Sequence, residues 1–310
     1  MQSSRDIKRR IRSVKNIAQI TKAMEVVSMN KMRRAQQFAL AARPYALASM
    51  DMLANILKFG KDVKLPSYLK PRPLQRAVVV VVTTDKGLVG GFNEGVLRLA
   101  EERWKQLGEK NIQTELITVG KKAKEHFDRR GTPSVLHFEG YGDYTLFRDT
   151  LPIANAILKG YKDKTWDTVY VVYTHFRTTL KQESVEHQLL PTTDEALKNI
   201  IKDIIPEYGR FSELREEKQQ HTHYNYSYTF EPNAKKIIEH LVADLLRIAM
   251  HHVMLESNAS EHSSRMVTMK SASDNAHDLE EDLTLEFNKV RQASITAEIS
   301  EIVAGAEALQ

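Results

Sequence analysis

The sequence predicts an α/β protein: a long antiparallel two-helix coiled coil formed by the N- and C-terminal helices, plus a central three-layer α/β domain. Three observations predict it. Glycine and proline are confined almost entirely to the middle of the chain, both ends carry apolar residues at helical spacing, and the middle alternates β-branched runs with helical ones. Glycine and proline are costly inside helices and punctuate α/β domains, so their distribution maps the architecture. Every glycine but one lies between Gly60 and Gly209, the exception being Gly305. Neither residue occurs before Pro44 or between Asn233 and Ala304.

At 1.5 Å per residue a helix from Ser4 to Arg43 is about 60 Å long and one from Pro232 to Gly305 about 110 Å, too long to fold back within a small domain. In the first, Ile7, Ile11, Val14, Ile17, Ile20, Met24 and Val27 recur at steps of three and four. In the second, Met266, Met269, Ala272, Ala276, Leu279, Leu283, Phe287 and Val290 do the same, so each helix is expected to bury one seam. The first 43 residues set eleven Lys and Arg against Asp6 and Glu25 alone, whereas Asp274, Asp278, Glu280, Glu281, Asp282 and Glu286 make the last helix acidic. That complementarity favours antiparallel pairing of the two, through orientation more than through stability. Ser3 or Ser4 with Asp6 suits the start of the first helix, Pro232 the first turn of the last, and Gly305 a C-terminal stop.

Between them, Ala77 to Thr83 is a continuous apolar run of the kind buried on both faces of a parallel sheet. A glycine loop follows, then a helix over Asn93–Leu107, a strand over Ile112–Val119, and helices over Lys121–Arg130 and Thr145–Tyr161. Strands over Thr168–Thr174 and Glu183–Leu190 complete a Rossmann-like sandwich. The division expected is 1–59 for the N-terminal coiled-coil helix, 60–210 for the α/β domain, and 211–310 for an edge strand and the C-terminal helix.

Composition narrows the chemistry. There is no cysteine, which removes disulfides, thiolate nucleophiles and thiol-bound metals. No apolar stretch approaches the roughly 20 residues that span a bilayer, and the N-terminus lacks a hydrophobic signal core, so a soluble protein is expected. The Arg- and Ser-rich start could pass for an organelle transit peptide, but its helical pattern runs on unbroken to Arg43. The loop TTDKGLVGGFNEG could offer N–H groups to a phosphate, yet Gly87, Gly90 and Gly91 are not spaced as G-x-G-x-x-G and no GK[ST] follows. The plainer reading is a tight turn, with Asn93 capping the next helix. His221 and His223 lack a third ligand at metal-site spacing, and Tyr224, Tyr226, Tyr228 and Phe230 describe an edge strand with one aromatic face. His251 and His252 are read as packing or surface residues. The basic first helix lacks the aromatics that stack bases, so no nucleic-acid partner is expected. Nor does spacing reveal a catalytic group.

At the termini the sequence becomes specific. The stretch IKRRIRSVKNIAQITKAMEVVSMNKMRRAQ resembles the N-terminal helix of the gamma subunits of F-type ATP synthases. SEHSSRMVTMKSASDNA and LEFNKVRQASITAEISEIVAGAEAL look like their C-terminal helix, and DKGLVGGFN is similar to their central loop. The resemblance covers both ends and the centre of the chain. It implies a non-catalytic shaft, without a cofactor, standing in the ring of alpha and beta subunits and held on the membrane side by epsilon and the c ring. Its place would be the cytoplasmic face of the bacterial inner membrane, in preference to the mitochondrial matrix side, with membrane association only through the complex.

Residue by residue, the resemblance implies alpha/beta contacts at Ile20, Thr21, Lys22 and Met24, and at Arg265, Met266, Met269 and Lys270. Arg291 and Gln292 match residues that engage a loop of the ring, and Ile295 and Ile299 lie in the stretch expected in its apolar bearing. For the c ring and epsilon the match, at Tyr228, Phe230 and Glu231, is weaker. Val89 stands where the family often has Cys, and 183–220 departs furthest from the family pattern.

Overall fold

The computed structural model describes residues 4–59, 67–141, 145–192 and 234–307. The expected edge strand of Tyr224, Tyr226, Tyr228 and Phe230, with the neighbouring Glu231 and Pro232, lies outside them, as do His221 and His223. The described elements are α1 (Ser4–Phe59), a 3-10 turn (Ser67–Leu69), β1 (Arg76–Val82), α2 (Phe92–Glu109), β2 (Gln113–Val119) and α3 (Lys121–Arg129). They continue with β3 (Leu136–Phe138), α4 (Phe147–Lys162), β4 (Thr168–Phe176), β5 (Gln182–Leu190) and α5 (Ala234–Glu307). The chain forms two compact units, one of 1–28 with 265–310 and the other of 29–264.

In the first unit α1 and α5 are antiparallel: Lys15 Nζ lies 4.0 Å from Glu280, while Ser273 Oγ, seven residues earlier on α5, donates to the Ala18 carbonyl at 3.4 Å. The stripe that α1 buries or half-buries runs Ile7, Ile11, Val14, Ala18, Thr21, Glu25 and Ser28, at alternating steps of four and three. Beyond Val14 this corrects the seam read from hydrophobicity at three positions, since Ile17, Ile20 and Val27 are exposed by 49 %, 60 % and 49 %, while Met24 is half-buried as expected. The seam keeps the seven-residue repeat of a coiled coil and fills it with small and polar residues. On α5 the buried positions Met269, Ser273, Ala276 and Leu283 keep the same rhythm, and Leu279 is exposed instead of buried. Small side chains at Ala18 and Ser273 let the backbones approach, which a pair of Ile and Leu would prevent.

Two helices also run past the proline or glycine read as their end, the first of them within the 1–59 range expected. α1 runs through Pro44 to Phe59. The proline removes one i to i−4 hydrogen bond and crowds the carbonyl four residues back, and the helix nonetheless continues. α5 passes Gly305 and ends at Glu307, so that glycine is an interior residue and not a stop.

The second unit is a five-stranded sheet of order β3-β2-β1-β4-β5. All neighbours are parallel except β5, which is antiparallel to β4. β1 is central, and Ala77 to Val82 is buried on both faces as its apolar run requires. Val78, Val80 and Val82 pack with Ile153, Ile157 and Tyr161 of α4 and with Ile238, Val242, Leu246 and Val253 of α5. Ala77, Val79 and Val81 pack with Val96, Leu97 and Ala100 of α2 and with Ala123 and Phe127 of α3. Each fully buried valine contributes roughly 1.5 kcal/mol of gross hydrophobic stabilisation. The three layers are thus α2 and α3, the sheet, and α4 with the first half of α5. β3 is not legible in the sequence because three residues cannot display an alternation.

Candidate functional site

Two regions carry the residues singled out from the sequence, and they sit in different units. In the second unit, the glycine loop leaves β1 at Thr83 and enters α2 at Gly91. Its polar groups are used by the loop itself. Asn93 does not cap α2, whose N-cap is Gly91 with no side-chain cap. Instead its Oδ1 accepts from the Thr84 N–H at 3.1 Å and its Nδ2 donates to Thr84 Oγ1 at 2.9 Å. Asn93 therefore clamps the two ends of the loop together.

Asp85 does a similar job, accepting from the N–H of Lys121 at 2.9 Å and of Gly140 at 2.9 Å. The first N–H groups of α3, a natural anion cradle, are engaged by Asp85 Oδ1, by the Thr84 carbonyl and by Thr83 Oγ1. Val89 is buried, and its carbonyl accepts from Ser264 Oγ at 2.7 Å. Leu88, at φ 63°, is held in the left-handed region and exposed by 60 %. Replacing Asn93 by Ala leaves the buried Thr84 N–H without its partner and is expected to destabilise the unit by about 2 kcal/mol. Urea unfolding checks this, and an unchanged midpoint would show that the clamp contributes nothing.

In the first unit the candidates separate by exposure. Ile20, Lys22, Lys270, Arg291, Gln292, Ile295 and Ile299 are exposed, and Thr21, Met24 and Met266 are half-buried. Met269 and Arg265 are buried, at 3 % and 8 % exposure. Thr21 Oγ1 donates back to the Ile17 carbonyl at 2.9 Å. Lys22 Nζ donates to the buried Glu25 carboxylate at 2.9 Å, a bond that raises the lysine pKa. From Arg291 through Ala306 every side chain is exposed, Ile295, Ile299, Ile302 and Val303 among them. Ile295, Ile299, Ile302 and Val303 leave aliphatic surface exposed at the end of α5, and Ile17, Ile20, Val26 and Val27 do so on α1.

Sequence reasoning missed one polar cluster. His251 and His252 are buried, not on the surface, and Glu256, one turn beyond His252, is buried against His175 of β4. The spacing of His252 and Glu256 was a readable signal on α5. The partner 81 residues away was not. Among the described residues no group of three or more His, Asp or Glu is placed to hold a metal ion, and no helix is long and apolar enough to cross a membrane.

Comparison with known proteins shows the family. The model of a family described as ATP synthase matches residues 3–309. The chain is 38 % identical over 310 residues to the ATP synthase gamma chain of Roseiflexus castenholzii, covering 100 % of this chain and 99 % of that one. It is 37 % identical over 309 residues to the ATP synthase gamma chain of Nitrosomonas eutropha, with 100 % of each covered. Among solved structures, it is similar to a chain of the Euglena gracilis mitochondrial ATP synthase (OSCP/F1/c-ring) with TM-score 0.61 at 18 % identity, over 99 % of this chain and 94 % of that one. A chain of the Tetrahymena thermophila mitochondrial ATP synthase central stalk and c ring gives TM-score 0.56 at 23 % identity, over 82 % and 99 %. These two likenesses concern the fold, whereas the full-length sequence matches carry the kinship. The chain belongs to the ATP synthase gamma chain family.

Proposed function

We propose that this gamma-family chain is the non-catalytic rotor shaft of an F-type ATP synthase, coupling ion-driven rotation of a c ring to ATP synthesis in the beta subunits. The observation that carries the reading is the exposed helical surface, aliphatic at Ile295, Ile299, Ile302 and Val303 and charged at Lys22, Lys270 and Arg291. A shaft that turns inside a ring needs a tip that slides without locking, because a strong contact at one angle would be a trap at the next. It also needs a few charges that push. Arg265 and Met269, being buried within the chain, act by holding the helix in shape, while Ile20, Lys22, Lys270, Arg291 and Gln292 meet the alpha/beta ring.

The partners on this reading are the alpha and beta subunits, epsilon and the c ring, at the cytoplasmic face of a bacterial inner membrane. On this division residues 1–59 supply the N-terminal coiled-coil helix, 60–210 the α/β domain toward the membrane side, and 211–310 an edge strand and the C-terminal coiled-coil helix. Reconstitution with alpha and beta subunits tests the assignment. One copy should join three of each and activate ATP turnover, while the chain alone hydrolyses nothing. A monomer that binds nucleotide by itself would reopen the glycine loop as an active site.

Arg291→Ala removes an exposed guanidinium, so the fold should keep its stability. Coupled ATP synthesis in vesicles should fall about tenfold, the worth of one charge-assisted hydrogen bond. Unchanged synthesis would remove Arg291 from the torque-bearing contacts.

A further inference from the structure

The Glu256 carboxylate is 6 % exposed and lies on α5, eight residues before the last residue of its unit, Ser264. His175 Nδ1, at the end of β4, is 2.8 Å from its Oε2. His252 Nε2, one helical turn back, is 3.2 Å from its Oε1. The second contact lacks hydrogen-bond alignment, and neither nitrogen of the His252 ring finds a hydrogen-bond partner among the described residues. A buried carboxylate ordinarily keeps a permanent cation or several N–H donors beside it. Here its two ionisable neighbours are imidazoles, side chains whose charge is a matter of ambient pH.

Burial pushes the Glu256 carboxyl up, but His252 and His175 together more than cancel that and leave it at about 2. With either ring protonated the carboxyl is therefore held as the anion. When a ring takes a proton, it becomes a donor at both nitrogens and carries a full charge against a fixed anion in a poorly solvated place. When both rings are neutral, that charge is withdrawn and the buried carboxyl keeps hydrogen bonding alone. Other groups around the cluster do not replace them. Asn258 Nδ2 is committed to Thr145 Oγ1 at 2.7 Å. From α1, Met32 and Ala35 pack beside Phe176 and Ala259 and bring no charge. On α4, Asp149 acts on His251, whose Nδ1 lies 3.4 Å from Thr150 Oγ1, and not on Glu256. Glu261 and His262 lie on the next turn of α5.

We propose that His175, Glu256 and His252 form a pH-responsive latch that fastens α5 to β4 more tightly as the surroundings acidify through the imidazole range. The latch joins the helix that continues into the other unit to the sheet that anchors it. On the rotor reading it adjusts how firmly the shaft is held in its α/β domain; the latch itself depends only on the geometry above.

His251 works in the opposite direction and has to be separated. Burial and the neighbouring His252 bring its pKa down to about 4. The folded chain thus resists a proton that the unfolded chain accepts near the ordinary histidine value, and this contribution is present above about pH 6.5 and lost as pH falls toward 4. It leaves Glu256 untouched, so a change at Glu256 tells the two apart.

The test is amide hydrogen exchange of the full chain at about pH 8 and pH 6, corrected for intrinsic rates, with residues 236–246 of α5 as internal reference. In the wild type, exchange in 249–262 should slow by about tenfold at the lower pH relative to that reference. Glu256→Gln should abolish the change, and His175→Lys, which supplies a permanent cation, should keep the segment protected at both pH values. Equal pH dependence in wild type and Glu256→Gln would overturn the latch. If Glu256→Gln fails to fold, a His175→Lys chain as pH-sensitive as the wild type overturns it equally.

Discussion

Gly120→Ala should cost roughly 4 kcal/mol, a large part of the 5–15 kcal/mol that holds a typical domain folded, and should leave much of the chain unfolded under mild denaturant. Gly120 links β2 to α3 with φ +91°, a region that side-chain-bearing residues rarely adopt. A Cβ there would stand 2.2 Å from the Thr83 carbonyl oxygen and 2.7 Å from its carbon. That carbonyl cannot step aside. Thr83 N–H donates to the Val119 carbonyl at 2.8 Å, and Thr83 Oγ1 accepts from the Ala123 N–H at 2.8 Å. The Gly120 N–H itself is held by the Phe138 carbonyl at 2.8 Å. Three strand ends meet at this point, so displacing one displaces all.

Two further glycines separate the causes. Gly131 has φ +71° but open space around its Cβ position, so alanine there should cost only the strain, about 1 kcal/mol. Gly108 lies in α2 with neither constraint, and alanine should stabilise by about 0.5–1 kcal/mol through helix propensity. Urea midpoints of the three variants test the ranking. If Gly120→Ala lies within 1 kcal/mol of Gly131→Ala, the junction yields and the steric argument fails.

Gly160→Ala is the second large effect, and helix propensity alone would predict its opposite. The residue is inside α4, where alanine is worth about 1 kcal/mol more than glycine. Its Cβ, however, would meet the Trp166 indole at 2.1 Å from Cζ3 and 2.3 Å from Cε3. The indole lies flush on the helix backbone, is 5 % exposed, and is pinned at its far side where Nε1 donates to Glu115 Oε2 at 2.6 Å. The chain also turns tightly here, with the Thr165 N–H on the Gly160 carbonyl at 2.8 Å. Overpacking should exceed the propensity gain and leave a net loss of roughly 3 kcal/mol, with a changed tryptophan emission. In the double variant with Trp166→Leu the two losses should not add, because the clash disappears with the indole. Strict additivity would mean that the two residues do not interact.

The architecture is legible in the sequence because it rests on one-dimensional signals. The absence of glycine and proline from both ends marks α1 and α5, and the valine run of β1 names the central strand. What is not legible depends on contacts between distant residues. Hydrophobicity misplaces the seam of α1 after Val14 because the chain offers larger apolar residues at Ile17 and Ile20 than at Ala18 and Thr21. Only the close approach to Ser273 explains why the small ones face inward. Asn93 suits a cap on local grounds, whereas Thr84, nine residues earlier, takes both its polar atoms. The candidate partner surface rests on family resemblance, and exposure then separates Lys270 and Arg291 from the buried Arg265 and Met269.

The bare end of α5 has a thermodynamic consequence. Over 291–306 every side chain is exposed, Ile295 by 46 % and Ile302 by 71 %, and the stretch is about four turns long. A single helix of that length, with nucleation inherited from the paired segment but no packing to reward propagation, sits close to the helix–coil midpoint in water. A surrounding ring of partner subunits would supply the missing burial, so ordering of the tip and assembly are one equilibrium, and the helicity gained on assembly measures how far the tip had melted beforehand.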